Sequence, residues 1–163
     1  MIPIQLSSLR NIVSIASGGM NTRNALDSSG HVWEFAFVKG PTSEIQTTTP
    51  IQIPNLSDIV AISGRASAND KSGYALDSFG HIWAWRVCAF DELVEGNTIE
   101  NQSTPVQVSN LSNIVEIAGS GSNGYAIDSA GRVWDWGLNN YGQLGNGTIN
   151  NSNVPVQVLG LPK

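Results

Sequence analysis

One nine-residue unit occurs three times along this chain at a nearly fixed interval. It consists of Ala-Leu/Ile-Asp-Ser, then a glycine two residues on, and then a Val/Ile-Trp pair. Its copies occupy residues 25–33, 75–83 and 126–134. Equivalent tryptophans are therefore about 50 residues apart, an interval typical of repeat architectures. Since each repeat must form one structural unit that stacks on the next, this period constrains the fold more than any other feature.

Two strand-like motifs accompany each copy of the unit. The first is a Pro-Ile/Val-Gln-apolar segment that alternates apolar and polar residues, as a half-buried strand does. It occurs at residues 3–6, 50–53, 105–108 and 155–158. The second is an Ile-Val-x-Ile segment, rich in β-branched residues that favour strands. It occurs at residues 12–15, 59–62 and 114–117.

The Asp-Ser-x-Gly segment itself predicts a tight turn between two strands. Asp and Ser side chains bond to nearby backbone, and glycine accepts a positive φ. Beyond the turn the side chains alternate, so that Trp134 and Trp136 share one face of their strand. All five tryptophans recur at these repeat positions, and we interpret them as core residues rather than a ligand cage.

Each period thus predicts four antiparallel strands, A (Ile-Val-x-Ile), B (Ala-Leu-Asp), C (Val-Trp-x-Trp) and D (Pro-x-Gln-x). Four such strands in about 50 residues are typical of a β-propeller blade. A parallel β-helix has a shorter period, and the pattern of a leucine-rich solenoid is absent. We therefore expect an all-β partial propeller, a single repeat domain over residues 1–163 with blades at about 2–53, 54–108 and 109–163.

The third repeat carries the most specific motif of the chain. Residues 131–137 read Gly-Arg-Val-Trp-Asp-Trp-Gly, and residues 139–148 contain Asn-Tyr-Gly-Gln-Leu-Gly. These residues resemble the regulator of chromosome condensation (RCC) repeat family, although the first two repeats lack Gly-Gln-Leu-Gly. The resemblance implies a β-propeller, which in that family has about seven blades. Its relatives act as guanine-nucleotide exchange factors, chromatin binders or protein inhibitors of enzymes.

Three blades are too few to close a ring, and stacked repeats need neighbours to cover their end faces. We expect completion by self-association, most simply as a two-fold homodimer. The residues expected to mediate it, on the terminal D motifs, are Ile4, Leu6, Val156 and Val158. The start at Met1 favours a complete gene product. The alternatives are a fragment of a larger exchange-factor-like propeller and an open arc capped by its own termini.

Composition excludes several classes of partner. The net charge is −5 and the pI is about 4.8, which argues against nucleic-acid binding and against an anionic membrane surface. No apolar run is long enough to span a bilayer, and no signal peptide is evident, so we expect a cytoplasmic protein. Cys88 is the single cysteine. We expect no catalytic residue, metal or cofactor; His31 and His81 occupy equivalent turn positions and lack ligand spacing.

The A–B and C–D loops are expected on one face of the propeller, longer and less regular than the turns on the other. Binding residues concentrate on such loops. The candidate protein-binding residues are Arg23, Arg65, Asn69, Asp70, Lys71, Phe90, Asp91 and Glu92. The alternative is a structural role, in which Phe90 and Leu93 only pack against the blade. The function indicated is a non-enzymatic binding or assembly module for an unknown protein partner. The alternative is an enzyme whose site lies in the central cavity of the assembled ring.

Overall fold

Thirteen β-strands and no helix form in the part of the chain that the computed structural model describes, namely residues 6, 8–19, 21–39, 45–64, 72–85 and 104–161. In chain order the strands are β1 (Ile12–Ser17), β2 (Thr22–Asp27), β3 (Val32–Lys39), β4 (Ile45–Thr47), β5 (Ile51–Gln52), β6 (Ile59–Gly64), β7 (Gly73–Asp77), β8 (Ile82–Trp85), β9 (Val106–Gln107), β10 (Ile114–Ser120), β11 (Asn123–Asp128), β12 (Val133–Gly137) and β13 (Ser152–Gln157). The predicted A, B, C and D strands of all three repeats are therefore present.

The strands make three antiparallel sheets, called here blades 1, 2 and 3. Blade 2 has the order β6-β7-β8-β9 and blade 3 the order β10-β11-β12-β13. Blade 1 has the order β1-β2-β3-β4, and β5 also pairs with β3. The predicted architecture of three four-stranded antiparallel blades is confirmed. The additional strand β4 pairs with the far end of β3, over Phe37–Lys39.

The carboxylate of each turn aspartate holds its hairpin together. In blade 2, Asp77 Oδ1 accepts the amide N–H groups of Phe79 and His81, both at 2.9 Å. Asp77 Oδ2 accepts the indole N–H of Trp83 at 3.0 Å. Gly80 completes the turn with a φ of 82°. The equivalent aspartates of blades 1 and 3 make the same bonds. Turn chemistry is thus confirmed as the reason that these aspartates recur, and it explains why a tryptophan follows each one at a fixed distance.

The tryptophan side of each sheet packs on the opposite side of the preceding sheet. The buried cluster between blades 1 and 2 comprises Leu26, Val32, Ile53, Leu56, Ile59, Ala75 and Trp85. The cluster between blades 2 and 3 comprises Tyr74, Leu76, Ile82, Ala84, Val108, Leu111, Ile114, Ala126 and Trp136. Trp85 and Trp136 are each 1% exposed, which confirms that they are core residues. Each large apolar side chain buried in this way contributes about 1.5–3 kcal/mol to folding.

The first strands of neighbouring blades approach each other most closely at their ends. The amide N–H of Gly119 donates to Ser63 Oγ at 3.0 Å, which joins β10 to β6. On the other side of blade 2, Gly64 lies directly against the backbone of Ser17. The glycine that ends strand A of blade 2 therefore permits a close backbone approach.

Two features of the loops differ from expectation. In blade 3 the A–B connection is only two residues long, Gly121 and Ser122, and is not a long irregular loop. Arg23, expected in a loop, lies inside β2. The structure also shows that residues 155–157 belong to β13, the fourth strand of blade 3, and that Val158 bonds to the same sheet, which leaves residues 3–6 as the surplus D motif. Of that motif, only Leu6 is among the described residues.

Candidate interaction surfaces

The outer face of blade 1, on the tryptophan side of the sheet, carries an apolar groove of about 440 Å³. Ile15, Phe35 and Phe37 line it, together with Leu6 and Arg23. Ile15 is 75% exposed and Phe37 36% exposed, although both are large and apolar. Within the described residues no sheet packs on this face. An apolar surface of this kind on a folded domain marks an interaction site.

Arg23 is the cation of this groove. Its guanidinium lies 5.7 Å from the ring centroid of Phe37, within the range of a cation–π contact. Its Nη1 atom donates to the carbonyl oxygens of Thr22 at 2.7 Å and Gly19 at 3.2 Å. The other nitrogens of the guanidinium make no hydrogen bond within the described residues.

Blade 1 departs from the other two blades at this place. Glycine occupies the equivalent positions of blades 2 and 3, Gly73 and Gly124. A Cβ atom at either glycine would collide with the ring of the tryptophan on the neighbouring strand. In blade 1 that tryptophan is replaced by Phe35, which pairs with Arg23 in register. The smaller ring gives an arginine side chain room that the other two blades lack.

The outer face of blade 3 is the opposite side of its sheet. Because Trp134 and Trp136 face blade 2, alternation directs Val133 and Asp135 away from it. Tyr125, which pairs with Asp135 in register, lies on the same side and helps to line a cavity of about 140 Å³. The exposed carboxylate of Glu116 borders the same cavity. This face is therefore apolar with an acidic edge.

Asp135 is a buried carboxylate with no cationic partner among the described residues. It is 2% exposed, and within the described residues no lysine, arginine or histidine forms an ion pair with it. Burial raises the pKa of Asp135 to about 6, against the hydrogen bonds from Asn123 Nδ2 and the Trp136 amide, which lower it. Burial, and then the negative charge of Asp135, raise the pKa of the Tyr125 hydroxyl. A buried carboxylate is costly unless a cation compensates it.

The turn glycines show that blade 3 ends the stack. At Gly80 an added Cβ would meet the backbone of Asn113 and Ile114 in blade 3, and at Gly30 it would meet the start of β6 in blade 2. At Gly131, the equivalent position of blade 3, no described atom lies within 4 Å of an added Cβ. Within the described residues, no further blade therefore covers the outer side of blade 3 at this turn.

The Gly-Gln-Leu-Gly segment folds into a compact loop around two buried residues. Asn139 Nδ2 donates to the carbonyl oxygens of Thr148 at 2.9 Å and Asn150 at 3.0 Å, and its Oδ1 accepts the amide N–H of Leu144 at 2.8 Å. Asn139 and Leu144 are fully buried, while Tyr141 in the same loop is 93% exposed. The loop therefore holds an aromatic side chain out from the blade, a composition suited to protein contact.

The residues proposed from sequence are only partly placed by the structure. Arg23 and Leu6 line the groove of blade 1. Val156 pairs with Asp135 in register, and the Val158 amide donates to the Val133 carbonyl, so both lie along the outer face of blade 3. The remaining candidates lie outside the described residues; they are Ile4, Arg65, Asn69, Asp70, Lys71, Phe90, Asp91 and Glu92.

Sequence analysis did not identify Phe35, Tyr125 and Asp135 as surface candidates. The sequence does contain a signal for them, because a residue that differs from its equivalents in the other two repeats marks a position where the blades differ. Phe35 stands where the other repeats have tryptophan, and Asp135 stands where blade 2 has Ala84. What the sequence lacked was the direction in which the blades stack, which decides which faces stay open.

The described residues show neither a metal centre nor a membrane-spanning helix. In the described part of the chain, no three His, Cys, Asp or Glu side chains are grouped as a metal site would require. His31 and His81 instead place Nδ1 3.2 and 3.1 Å from the carboxylate of their own turn aspartate. The same part of the chain contains no helix with the length and apolar character needed to cross a membrane.

Comparison with known proteins gives partial matches along the sequence. Residues 130–163 match the regulator of chromosome condensation (RCC1) repeat. The human regulator of chromosome condensation is 35% identical over 65 residues, which are 40% of this chain and 15% of that protein. The human probable E3 ubiquitin-protein ligase HERC3 is 27% identical over 106 residues, 64% of this chain and 10% of that protein.

Solved structures match nearly the whole chain. Human WBSCR16 superposes with a TM-score of 0.71 at 17% identity, over 92% of this chain and 40% of that one. Yeast RCC1 (Prp20), solved with Kap60, superposes with a TM-score of 0.70 at 16% identity, over 93% of this chain and 38% of that one. The chain thus spans between 10% and 40% of the length of these four proteins. Residues 130–163 thus match an RCC1 repeat, and the three stacked sheets have the fold of RCC1 propeller blades.

Proposed function

We propose that this chain is a non-enzymatic protein-binding and assembly module that associates with a second copy of itself. The observation that carries the proposal is the pair of uncovered sheet faces at the two ends of the blade stack. Blade 1 exposes Ile15 and Phe37 around a groove, and on the outer side of blade 3 Tyr125 and Val133 are part-exposed, with no described sheet packed on them. Repeat stacks need such faces covered to be soluble and stable.

A further protein partner is proposed on the loop face. The loop of blade 3 is fixed by the buried Asn139 and Leu144, and it presents Tyr141 at 93% exposure. An aromatic side chain on a rigid loop is a frequent anchor of protein interfaces, because its ordering costs little entropy. Yeast RCC1 (Prp20) binds the protein Kap60 in its crystal structure. That precedent supports protein binding as the class of function for this chain, without identifying the partner.

The alternative of an enzyme has weaker support. Burial raises the pKa of Asp135 to about 6, which is the range suited to a general acid or base. Asp135 is 2% exposed and faces the end of the stack, and the described residues bring neither a histidine nor a metal-ligand cluster to it. HERC3 is a probable ubiquitin ligase, but the chain spans only 10% of that protein. A binding role therefore fits the described surfaces better than catalysis.

The mass of the chain in solution tests the proposal. We expect sedimentation equilibrium over roughly 1–200 μM to show a concentration-dependent species of twice the 17.3 kDa chain mass, as expected for a micromolar dimer. A single species of one chain mass throughout this range would overturn the assembly role. A Tyr141→Ala variant serves as the matched control, because it alters the loop face and leaves both sheet faces intact.

A further inference from the structure

The junction between blades 2 and 3 shows which residues meet when one sheet covers another. The Tyr74 ring meets Trp136 edge-on, with centroids 5.7 Å apart, and Trp136 Nε1 donates to the Tyr74 hydroxyl at 3.3 Å. In blade 2, Tyr74 pairs in register with Ala84; in blade 3, Trp136 pairs in register with Gly124. A Tyr–Ala pair therefore faces a Gly–Trp pair across this junction.

The positions of these two pairs also occur on the outer faces of blades 3 and 1, where they hold different residues. On blade 3, Tyr125 and Asp135 stand where blade 2 has tyrosine and alanine. On blade 1, Arg23 and Phe35 stand where blade 3 has glycine and tryptophan. Where the junction of blades 2 and 3 has Ala84 and Gly124, and that of blades 1 and 2 has Glu34 and Gly73, the two end faces carry Asp135 and Arg23. Relative to the junction of blades 2 and 3, both residues add a charge, and the two charges are opposite.

We infer that two copies of this chain close into one six-bladed ring, in which Arg23 of each copy pairs with Asp135 of the other, beside Tyr125. This inference rests on the self-association proposed above and names its contact. A two-fold axis makes the two junctions identical, so every contact occurs twice. The guanidinium supplies the cation that the buried carboxylate of Asp135 lacks within the described residues. That carboxylate would accept from the guanidinium nitrogens of Arg23 other than Nη1, which bonds to Thr22 and Gly19.

The spacing of the new junction follows from the same comparison. At the junction of blades 1 and 2, Gly64 allows its strand to lie against Ser17. Blade 1 carries Ser17 at the position of Gly64, and Arg23 at the position of Gly73. Both side chains hold a covering sheet farther away than glycine does. A wider junction accommodates an arginine–carboxylate pair in place of the alanine and glycine found at the junction of blades 2 and 3.

Charge-reversal variants test the pairing. We expect R23E and D135R each to weaken dimerisation by about 100-fold, since each places like charges at both junctions. An equimolar mixture of the two variants should form dimers again, within about 10-fold of the unchanged chain. In the mixed dimer one junction has the native pair, and the other has the same pair with its charges exchanged. Sedimentation equilibrium measures all four samples.

Neutral variants keep the test decisive if the buried D135R change prevents folding. R23Q and D135N should each weaken dimerisation by roughly 10-fold, and the double variant should be no weaker than the weaker single variant, because the second change removes a contact already lost. D58N is the matched control: it removes an exposed carboxylate at the internal junction of blades 1 and 2, and we expect no change in dimerisation.

The outcomes separate this inference from the proposed function. Dimers whose dissociation constant changes less than about threefold in R23Q and D135N would leave self-association standing and overturn the pairing, as would strictly additive losses in the double variant. A mass of three chains would overturn the two-copy ring. An unchanged chain that stays monomeric would overturn both the pairing and the assembly role.

Discussion

Gly64 touches the backbone of Ser17 across the junction of blades 1 and 2, with no space for a side chain between the two strands. A Cβ atom on Gly64 would overlap the carbonyl oxygen of Ser17. Since the obstacle is backbone, it cannot move aside as a side-chain end could. We therefore expect Gly64→Ala to separate the first strands of the two blades and lower the free energy of unfolding by about 3 kcal/mol or more.

The matched control for this substitution is Gly147→Ala. Gly147 has a φ of 78° and nothing within 4 Å of a built Cβ, so it tests backbone strain without overlap. We expect it to cost only about 1 kcal/mol. Urea unfolding followed by tryptophan fluorescence compares the two variants. Equal losses would show that the close approach to Ser17 does not govern the stability of the junction.

Asp128 is expected to stabilise the hairpin of blade 3 more than any other residue of its turn. Its carboxylate accepts the amide N–H groups of Ala130 and Arg132, both at 3.0 Å, and the indole N–H of Trp134 at 3.1 Å. Asp128→Ala removes all of these acceptors at once, and we expect a loss of about 2–4 kcal/mol in the free energy of unfolding. Ser129→Ala, at the exposed neighbouring position, should change stability by less than about 0.5 kcal/mol. Comparable losses for the two variants would contradict the role of the carboxylate.

The turn aspartates and Asp135 give opposite contributions to stability as the pH changes. Burial tends to raise the pKa of Asp128, but the bonds from Trp134 and the Arg132 amide and side chain, with that from Ala130, lower it to about 2. Its folded pKa lies below the unfolded value of 3.8, so its stabilisation is present above pH 4 and is lost as the pH falls toward 2. The pKa of Asp77 is lowered in the same direction.

Asp135 has the reverse sign, because burial raises its folded pKa to about 6 while its ordinary value is 3.8. The folded chain holds this proton more tightly, so stability is greatest below pH 4 and falls as the pH rises through 6. We expect D135N to be more stable than the unchanged chain at pH 7.5 and no more stable at pH 3.5. Thermal unfolding at a concentration where both chains are monomeric measures this. A D135N advantage that does not vary with pH would contradict the prediction.

The strands and turns were predictable from sequence because each depends on neighbouring residues. The Asp-Ser-x-Gly turn is fixed by bonds within its own hairpin, such as those from Phe79 and His81 to Asp77. Alternation of apolar residues set the strand faces. These local rules correctly placed the A, B, C and D strands of all three blades, and together with the repeat period they predicted the architecture.

The interaction surfaces were less predictable because they depend on contacts between blades. Arg23 follows a glycine-rich segment and was assigned to a loop, yet pairing with Phe35 extends β2 to include it. The acidic residue Asp135 resembled an ordinary strand position until the stacking direction showed that it faces the uncovered end. Neither fact follows from periodicity, since both require knowing which side of one sheet meets which side of the next.

Two buried asparagines should respond in opposite directions to the same substitution. Asn24 is fully buried at the junction of blades 1 and 2, and both atoms of its amide lack a hydrogen-bond partner within the described residues. Asn139 is equally buried, but its amide bonds to Thr148, Asn150 and Leu144. We expect Asn24→Leu to raise the free energy of unfolding by about 1–2 kcal/mol, because leucine has a similar shape and needs no partner. Asn139→Leu should lower it by about 3 kcal/mol, because it leaves two carbonyls and one amide without partners.

Each variant is the control for the other in one urea titration series. A loss of stability in Asn24→Leu as large as that in Asn139→Leu would show that the Asn24 amide is satisfied in solution by groups beyond the described residues.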